Sequence, residues 1–213
     1  MQDFLGFGGC HVFLVSGMPL AFKFNQVIKK RMFEDIDRIL INEGAIATRL
    51  AEMAQKITQD YLGRDLIVLS LLNGSLIFVT DLLRLVPLPL RLVSLRVSSY
   101  AGTESTGQLS IANDRLSGLD GRDVLIVDDI LDSGRTLHGV VAHLRANTGV
   151  ASVKTCVLLD KNVQRVVPFN ADYTGFQIPD AFVVGYGLDY NERYRNLPFI
   201  GVLKGEAVSR YAI

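Results

Sequence analysis

Apolar residues recur along this chain with two periods. Between Asn42 and Gly63, Ile46, Leu50, Met53, Ile57 and Tyr61 fall three or four positions apart, the spacing of one buried helix face. Asn42 stands where an N-cap would accept a free amide, and Gly63 where the helix would stop. Leu66 to Leu72 is an apolar strand that ends in Asn73-Gly74-Ser75. Leu76 to Leu85 then reads as a helix, closed by Pro87 and Pro89. Leu90 to Val97 alternates and predicts a less buried strand. Val124 to Val127 is wholly apolar and rich in β-branched residues, which suits a parallel strand buried on both faces. Leu137, Val140, Val141 and Leu144 mark a helix ending near Gly149, and Val153 to Leu159 a strand ending in Asp160-Lys161.

Strands that alternate with helices predict an α/β fold with a doubly wound, mainly parallel sheet. Three segments break the alternation. Ser98 to Asp120 is polar and rich in Gly, Ser and Thr, as long functional loops are. The last fifty residues come in short pieces rich in Pro, Gly and aromatics, more like a cap than another βαβ unit. Met1 to Phe24 is apolar and carries several glycines. It lacks the basic start of a signal peptide and an apolar run long enough to span a bilayer. Residues 1–30 are expected to be an extension, either poorly ordered or an arm packed on the body or on a partner subunit. A start assigned too far upstream would look the same. Residues 31–213 form the expected domain.

A chain of 213 residues with 49% apolar content supports one α/β domain with a small appendage. Its formal net charge is zero, so electrostatics give no case for nucleic-acid binding. Cys10 and Cys156 do not make a disulfide framework, and Cys156 reads as a core residue. No Cys-x-x-Cys or His/Cys cluster suggests zinc. His138 and His143 fall on the helix after Val127 and read as surface or packing residues.

The chemistry concentrates where the Val124–Val127 strand ends. Asp128 and Asp129 stand side by side, Asp132 follows, and Ser133-Gly134-Arg135-Thr136 opens a helix. Open α/β sheets bind ligands beyond the carboxyl ends of their strands. Paired carboxylates there accept hydrogen bonds from ribose hydroxyls or hold Mg²⁺. Ser133 to Thr136 would aim backbone amides and two hydroxyls at one phosphate, with Gly134 permitting close approach. Arg135 adds charge or simply faces solvent. The order of features is neither a P-loop nor a dinucleotide-binding fingerprint.

This run is similar to the signature by which purine-salvage phosphoribosyltransferases hold 5-phosphoribosyl-1-pyrophosphate (PRPP). From about Asp35 to Leu203 the chain resembles the hypoxanthine (hypoxanthine-guanine) phosphoribosyltransferases. Further motifs carry the resemblance: Val97-Ser98-Ser99-Tyr100, Leu158-Leu159-Asp160-Lys161, Gly175-Phe176-Gln177-Ile178-Pro179-Asp180, and the run from Phe182 to Glu192.

The resemblance implies a type I phosphoribosyltransferase fold: a twisted, mainly parallel sheet flanked by helices, with a small hood and a mobile active-site loop. It implies Mg²⁺-dependent transfer of the 5-phosphoribosyl group to hypoxanthine and guanine, in a cytoplasmic homodimer or homotetramer that engages neither nucleic acid nor membrane. Asp132 matches the general acid/base beside purine N7, and Asp128 and Asp129 match the acids beneath the ribose hydroxyls. Ser133, Gly134, Arg135 and Thr136 match the 5′-phosphate loop. Lys161 matches the donor to the purine 6-oxo group, Phe182 the stacking aromatic and Val183 a backbone contact to the base. Asp189 matches a further Mg²⁺ carboxylate at the purine side, joining Asp128 and Asp129 as metal candidates. Asn73, Gly74 and Arg195 match pyrophosphate contacts, and Ser99 and Tyr100 the start of the mobile loop.

Two departures stand out. The family usually has lysine where this chain has Asn73, in a peptide with Leu72 that is typically cis, and glutamate is common at Asp128. Rival readings are a transferase preferring guanine or xanthine, and a PRPP-sensing regulator without catalysis, which only Asn73 favours.

Overall fold

The computed structural model describes residues 33–99, 109–111 and 116–211, together with Leu14–Val15 and Met18–Pro19. Those last two pairs are short strands, β1 and β2, joined antiparallel. The expected roles of residues 1–30, and Tyr100, otherwise lie outside the described residues, as does most of the polar segment after Ser99.

The body is a six-stranded sheet. It contains β4 (Leu66–Leu72), β5 (Leu90–Ser99), β6 (Leu109–Ile111), β7 (Asp123–Leu131), β8 (Ser152–Lys161) and β9 (Tyr173–Ile178), in the order β6-β5-β4-β7-β8-β9. All neighbours pair parallel except β5 and β6. Helix α1 (Glu43–Asp60) follows β3 (Ile36–Ile41), α2 (Leu76–Leu83) follows β4, and α3 (Arg135–Asn147) follows β7. A second sheet of three antiparallel strands joins β3 to β10 (Val183–Val184) and β11 (Ile200–Leu203), and α4 (Gly205–Arg210) closes the fold.

Side-chain alternation along the central strands divides the interior in two. Leu66 and Val68 of β4, Leu125 and Val127 of β7, and Cys156 and Leu158 of β8 pack toward α1 and α2. Ile67, Leu69, Val124, Ile126 and Val157 face the opposite way, toward α3. This double burial is why those strands read as unbroken apolar runs. The α1 face buries Ile46, Leu50, Met53 and Ile57, and the Asn42 side chain accepts from the Ala45 amide at 2.9 Å. Gly63 adopts φ +74° just past the helix end, as its stop position requires. No helix among the described residues is long and apolar enough to cross a membrane.

Two expectations need correction. The segment after Lys161 does not belong wholly to a cap, because Tyr173–Ile178 is the fifth parallel strand of the main sheet. It is an edge strand whose middle is only half-buried, so no continuous apolar run announced it. The second helix stops at Leu83, two residues short of Leu85. The cap expectation holds for β10, β11 and α4, although β3 completes it from the other end of the chain.

Ile57 is fully buried and Asn42 is an exposed cap on the same helix. Ile57→Ala should lower unfolding free energy by about 2–5 kcal/mol, and Asn42→Ala by about 1 kcal/mol. Urea midpoints of the two variants check both values. Equal losses would mean that α1 is not held by its buried face.

Candidate active site

The carboxyl ends of β5, β4 and β7 lie side by side, and residues from them and from the segment after β7 surround one cleft of about 270 Å³. Its walls include Leu71, Leu72, Val97, Asp128, Asp129, Asp132, Ser133, Gly134 and Thr136. Of the residues singled out in the sequence, the structure therefore brings Asp128, Asp129, Asp132, Ser133, Gly134 and Thr136 together. Arg135 is exposed and lies outside that lining.

Asp128 is buried at the end of an apolar strand, with Asp129 beside it. The Asp129 amide donates to Asp128 Oδ1 and the Ile130 amide to Asp129 Oδ1, each at 3.0 Å. Burial, reinforced by the neighbouring Asp129 charge, holds the Asp128 carboxyl well above the usual carboxylate range. Burial raises Asp129 as well, against the pull of its hydrogen bonds and of Arg195. Such a pair favours a cation that would let both acids ionise. An all-oxygen donor set of one or two carboxylates, completed by substrate phosphates, suits Mg²⁺.

Among the described residues no three acidic, histidine or cysteine side chains converge as a metal cage. Asp189, the third metal candidate, instead pairs with Arg195 at 2.8 Å and accepts from the Glu192 amide at 2.8 Å. Arg195 also meets Glu192 Oε2 at 2.9 Å and donates to the Gly187 carbonyl at 2.8 Å.

Ser133 to Thr136 leads directly into α3. Gly134 is the N-cap residue at φ +79°, a conformation that glycine adopts without steric cost. A Cβ there would lie 2.3 Å from the Val167 carbonyl oxygen. Gly134 gives no side-chain cap and the Arg135 amide reaches only Ser133 Oγ, at 3.5 Å, so this helix N-terminus suits an anion.

Across the cleft, Lys161 is only 13% exposed, while Asp132 is 51% exposed. Lys161 Nζ donates to Asp132 Oδ2 at 2.9 Å and lies 3.6 Å from Asp180 Oδ1. Asp180 closes the Gly175–Asp180 motif, and nothing in its spacing marks it as a partner of Lys161. Val183 is buried in β10. Phe182 is 51% exposed, and its ring meets Tyr190 edge to face at a centroid distance of 5.3 Å. Half of the side chain thus stays exposed, with aromatic surface left for stacking.

The Leu72-Asn73 peptide is cis, as the resemblance implied. Asn73 is exposed, and Gly74 lies against Asp129 so closely that a Cβ would come 1.7 Å from its Oδ2. Ser99 ends β5, at the start of the polar segment.

Three tyrosines fasten the hood turn that carries Asp189 and Arg195. Tyr186 donates to Asp81 at 2.6 Å, Tyr190 to the Val208 carbonyl at 3.0 Å, and Tyr194 to Asp35 at 2.8 Å. Tyr186, Asn191, Glu192 and Tyr194 all take positive φ, between 49° and 69°, a conformation uncommon outside glycine. Neither Asp35 nor Asp81 carries a local sequence signal, because the Tyr194 and Tyr186 tethers join residues more than a hundred positions apart, whereas the Tyr190 tether spans 18.

Comparisons with known proteins identify the family. The sequence profile described as phosphoribosyl transferase domain matches residues 36–191. The chain is 46% identical over 179 residues to the bifunctional protein TilS/HprT of Listeria monocytogenes, an alignment covering 84% of this chain and 28% of that protein. It thus spans about a quarter of the length of such bifunctional relatives. It is 43% identical over 180 residues to the hypoxanthine-guanine phosphoribosyltransferase of Staphylococcus epidermidis, covering 84% of this chain and all of that one. The crystal structure of a hypoxanthine phosphoribosyltransferase from Staphylococcus aureus superposes with a TM-score of 0.78 at 42% identity, over 85% of this chain and 97% of the other. The chain belongs to the phosphoribosyl transferase domain family, and the relatives that it covers along nearly their whole length include these two staphylococcal phosphoribosyltransferases.

Proposed function

We propose that this protein is a purine-salvage enzyme that transfers the 5-phosphoribosyl group from PRPP to hypoxanthine and guanine, with Mg²⁺. The observation that carries this reading is the 2.9 Å contact between Lys161 and Asp132. A 6-oxopurine presents O6 and N7 on one edge, and these two side chains present a matching edge. The lysine donates to O6, where adenine would offer a donor of its own.

In the reaction, purine N9 attacks C1 of the ribose as the bond from C1 to pyrophosphate breaks. The electron pair of that bond leaves with pyrophosphate. The purine gives up its N7 proton to Asp132, which acts as general base, and returns it in the reverse direction. Phe182 covers one face of the base and Val183 offers its backbone. Asp128 and Asp129 hold the ribose hydroxyls, and Ser133, Gly134 and Thr136 hold the 5′-phosphate, with Arg135 adding charge. Asn73, Gly74 and Arg195 line the path of pyrophosphate.

Asp128 and Asp129, with Asp189 on the purine side, are the residues that would hold Mg²⁺. The ion, when bound, neutralises the charge that develops on pyrophosphate. The loop beginning at Ser99 and Tyr100 closes over the reacting centre and keeps water from C1. We take residues 31–213 as the catalytic domain, working in the cytoplasm as a homodimer or homotetramer.

PRPP-dependent turnover should be seen with hypoxanthine and guanine and be far weaker with adenine. Asp132→Asn should lower kcat by about 10²–10⁴-fold. Lys161→Gln should weaken hypoxanthine by roughly tenfold or more through the lost charged donor and narrow the gap to adenine. Steady-state assays with the separate bases check these outcomes. Saturable PRPP binding without turnover of any base would sink the transferase reading in favour of a sensor.

Metal dependence gives a second check. Chelation by EDTA should abolish turnover, and added Mg²⁺ should restore it in the wild type but only at higher concentration in Asp129→Asn. Full activity in EDTA would remove Mg²⁺ from the proposal.

A further inference from the structure

Arg165 sits on the connection between β8 and β9 and takes no part in the reaction just described. Its side chain is 16% exposed, and that of its ion-pair partner Asp160 is 14% exposed. Besides the Asp160 contact, Nη1 donates to the Phe169 carbonyl at 2.6 Å and lies 3.5 Å from Asn170 Oδ1. Nε is buried without a partner. One guanidinium thus ties the end of β8 to the far side of the loop that follows it. A pair so nearly removed from water is costly to break, because the surviving charge is left uncompensated.

The tied loop is also a wall of the Ser133–Thr136 segment. The Val167 amide donates to the Ser133 carbonyl at 3.1 Å. A Cβ on Gly134 would meet the Val167 carbonyl oxygen at 2.3 Å and Phe169 Cβ at 3.3 Å. The path of the Ser133–Gly134 backbone is therefore fixed from outside by Phe169, which Arg165 holds, and by Val167, which lies in the short stretch of chain between Arg165 and Phe169.

Asp160 and Lys161 are consecutive strand residues whose side chains leave on opposite faces. The Asp160–Arg165 pair and the Lys161–Asp132 contact are therefore separately built.

We propose that Arg165 and Asp160 are positioning residues for the phosphate loop. They touch no substrate, and they hold the Ser133–Thr136 backbone where its amides meet the 5′-phosphate. This inference rests on the reading that the loop binds that phosphate. Its consequence is selective: ligands that carry the 5′-phosphate lose affinity when the pair is broken, and ligands without it do not.

The test compares binding of IMP and inosine by calorimetry, together with KM for PRPP and for hypoxanthine, in Arg165→Gln, Arg165→Lys and Asp160→Asn. IMP affinity and KM for PRPP should worsen by on the order of 10- to 100-fold in Arg165→Gln, the scale of a small misplacement of binding groups. Inosine affinity and KM for hypoxanthine should stay near the wild-type values, and Arg165→Lys should recover part of the loss. Equal weakening of IMP and inosine, or no weakening of either, would overturn the proposal.

Thr136→Ala tests the underlying reading separately. If it leaves the IMP-to-inosine affinity ratio unchanged, the loop does not hold the phosphate, whatever Arg165 does. Hydrogen exchange in the wild type provides an arm that needs no variant. IMP should slow exchange of the Val167 amide more than inosine does, and equal slowing would overturn the coupling.

Discussion

A glycine contact joins the two parts of the candidate site. Gly74, at the end of β4, leaves no room for a side chain: a Cβ would lie 1.7 Å from Asp129 Oδ2. On its other side the hood turn comes equally close, since a Cβ on Gly187 would lie 2.2 Å from the Gly74 carbonyl oxygen. Gly185 is wedged in the same manner against the Phe199 carbonyl. The turn Gly185-Tyr186-Gly187 runs entirely at positive φ, at 99°, 52° and 103°, which two glycines permit and Tyr186 sustains through its hydrogen bond to Asp81. Arg195 then donates to the Gly187 carbonyl, and Asp189 pairs with Arg195. The paired acids of the main sheet and the charged residues of the hood are thus set relative to one another through the Gly74 backbone, which meets the Asp129 carboxylate on one side and the hood turn on the other.

What the sequence made legible follows from this arrangement. Strand β7 and helix α3 were readable because burial on both faces leaves an unbroken apolar run, and because the acids and small residues that follow are consecutive. The four buried residues of α3 are the four that its periodicity marked. Strand β9 was not readable, since at the edge of the sheet its middle residues are half-buried and Gly175 interrupts the pattern. That glycine is required by packing, because a Cβ would lie 2.4 Å from the Leu158 carbonyl oxygen. Strand β3 was missed because its partner β11 lies near the opposite end of the chain. At the site, residues that act in one local run could be named from sequence. Those that act by reaching across the fold, such as Asp180 toward Lys161 or Asp35 toward Tyr194, carried no local signal.

Charge at the site completes the argument. The carboxylates Asp128, Asp129, Asp132, Asp180, Asp189 and Glu192 outnumber the cations Lys161, Arg135 and Arg195. Both partly buried cations are already engaged: Lys161 lies between Asp132 and Asp180, and Arg195 between Asp189 and Glu192. Asn73, exposed just past β4, is neutral and adds no positive charge. A polyanionic substrate entering such a site meets net repulsion unless positive charge arrives with it or is released within it. On the proposed reading both happen. Asp128 and Asp129 would hold a divalent cation whose charge offsets that of PRPP, and Arg195 would exchange its carboxylates for pyrophosphate oxygens. The resting ion pairs then have a physical role. On that reading they keep Arg195 aimed and partly desolvated, and pyrophosphate replaces a carboxylate contact that is already formed, not a shell of water.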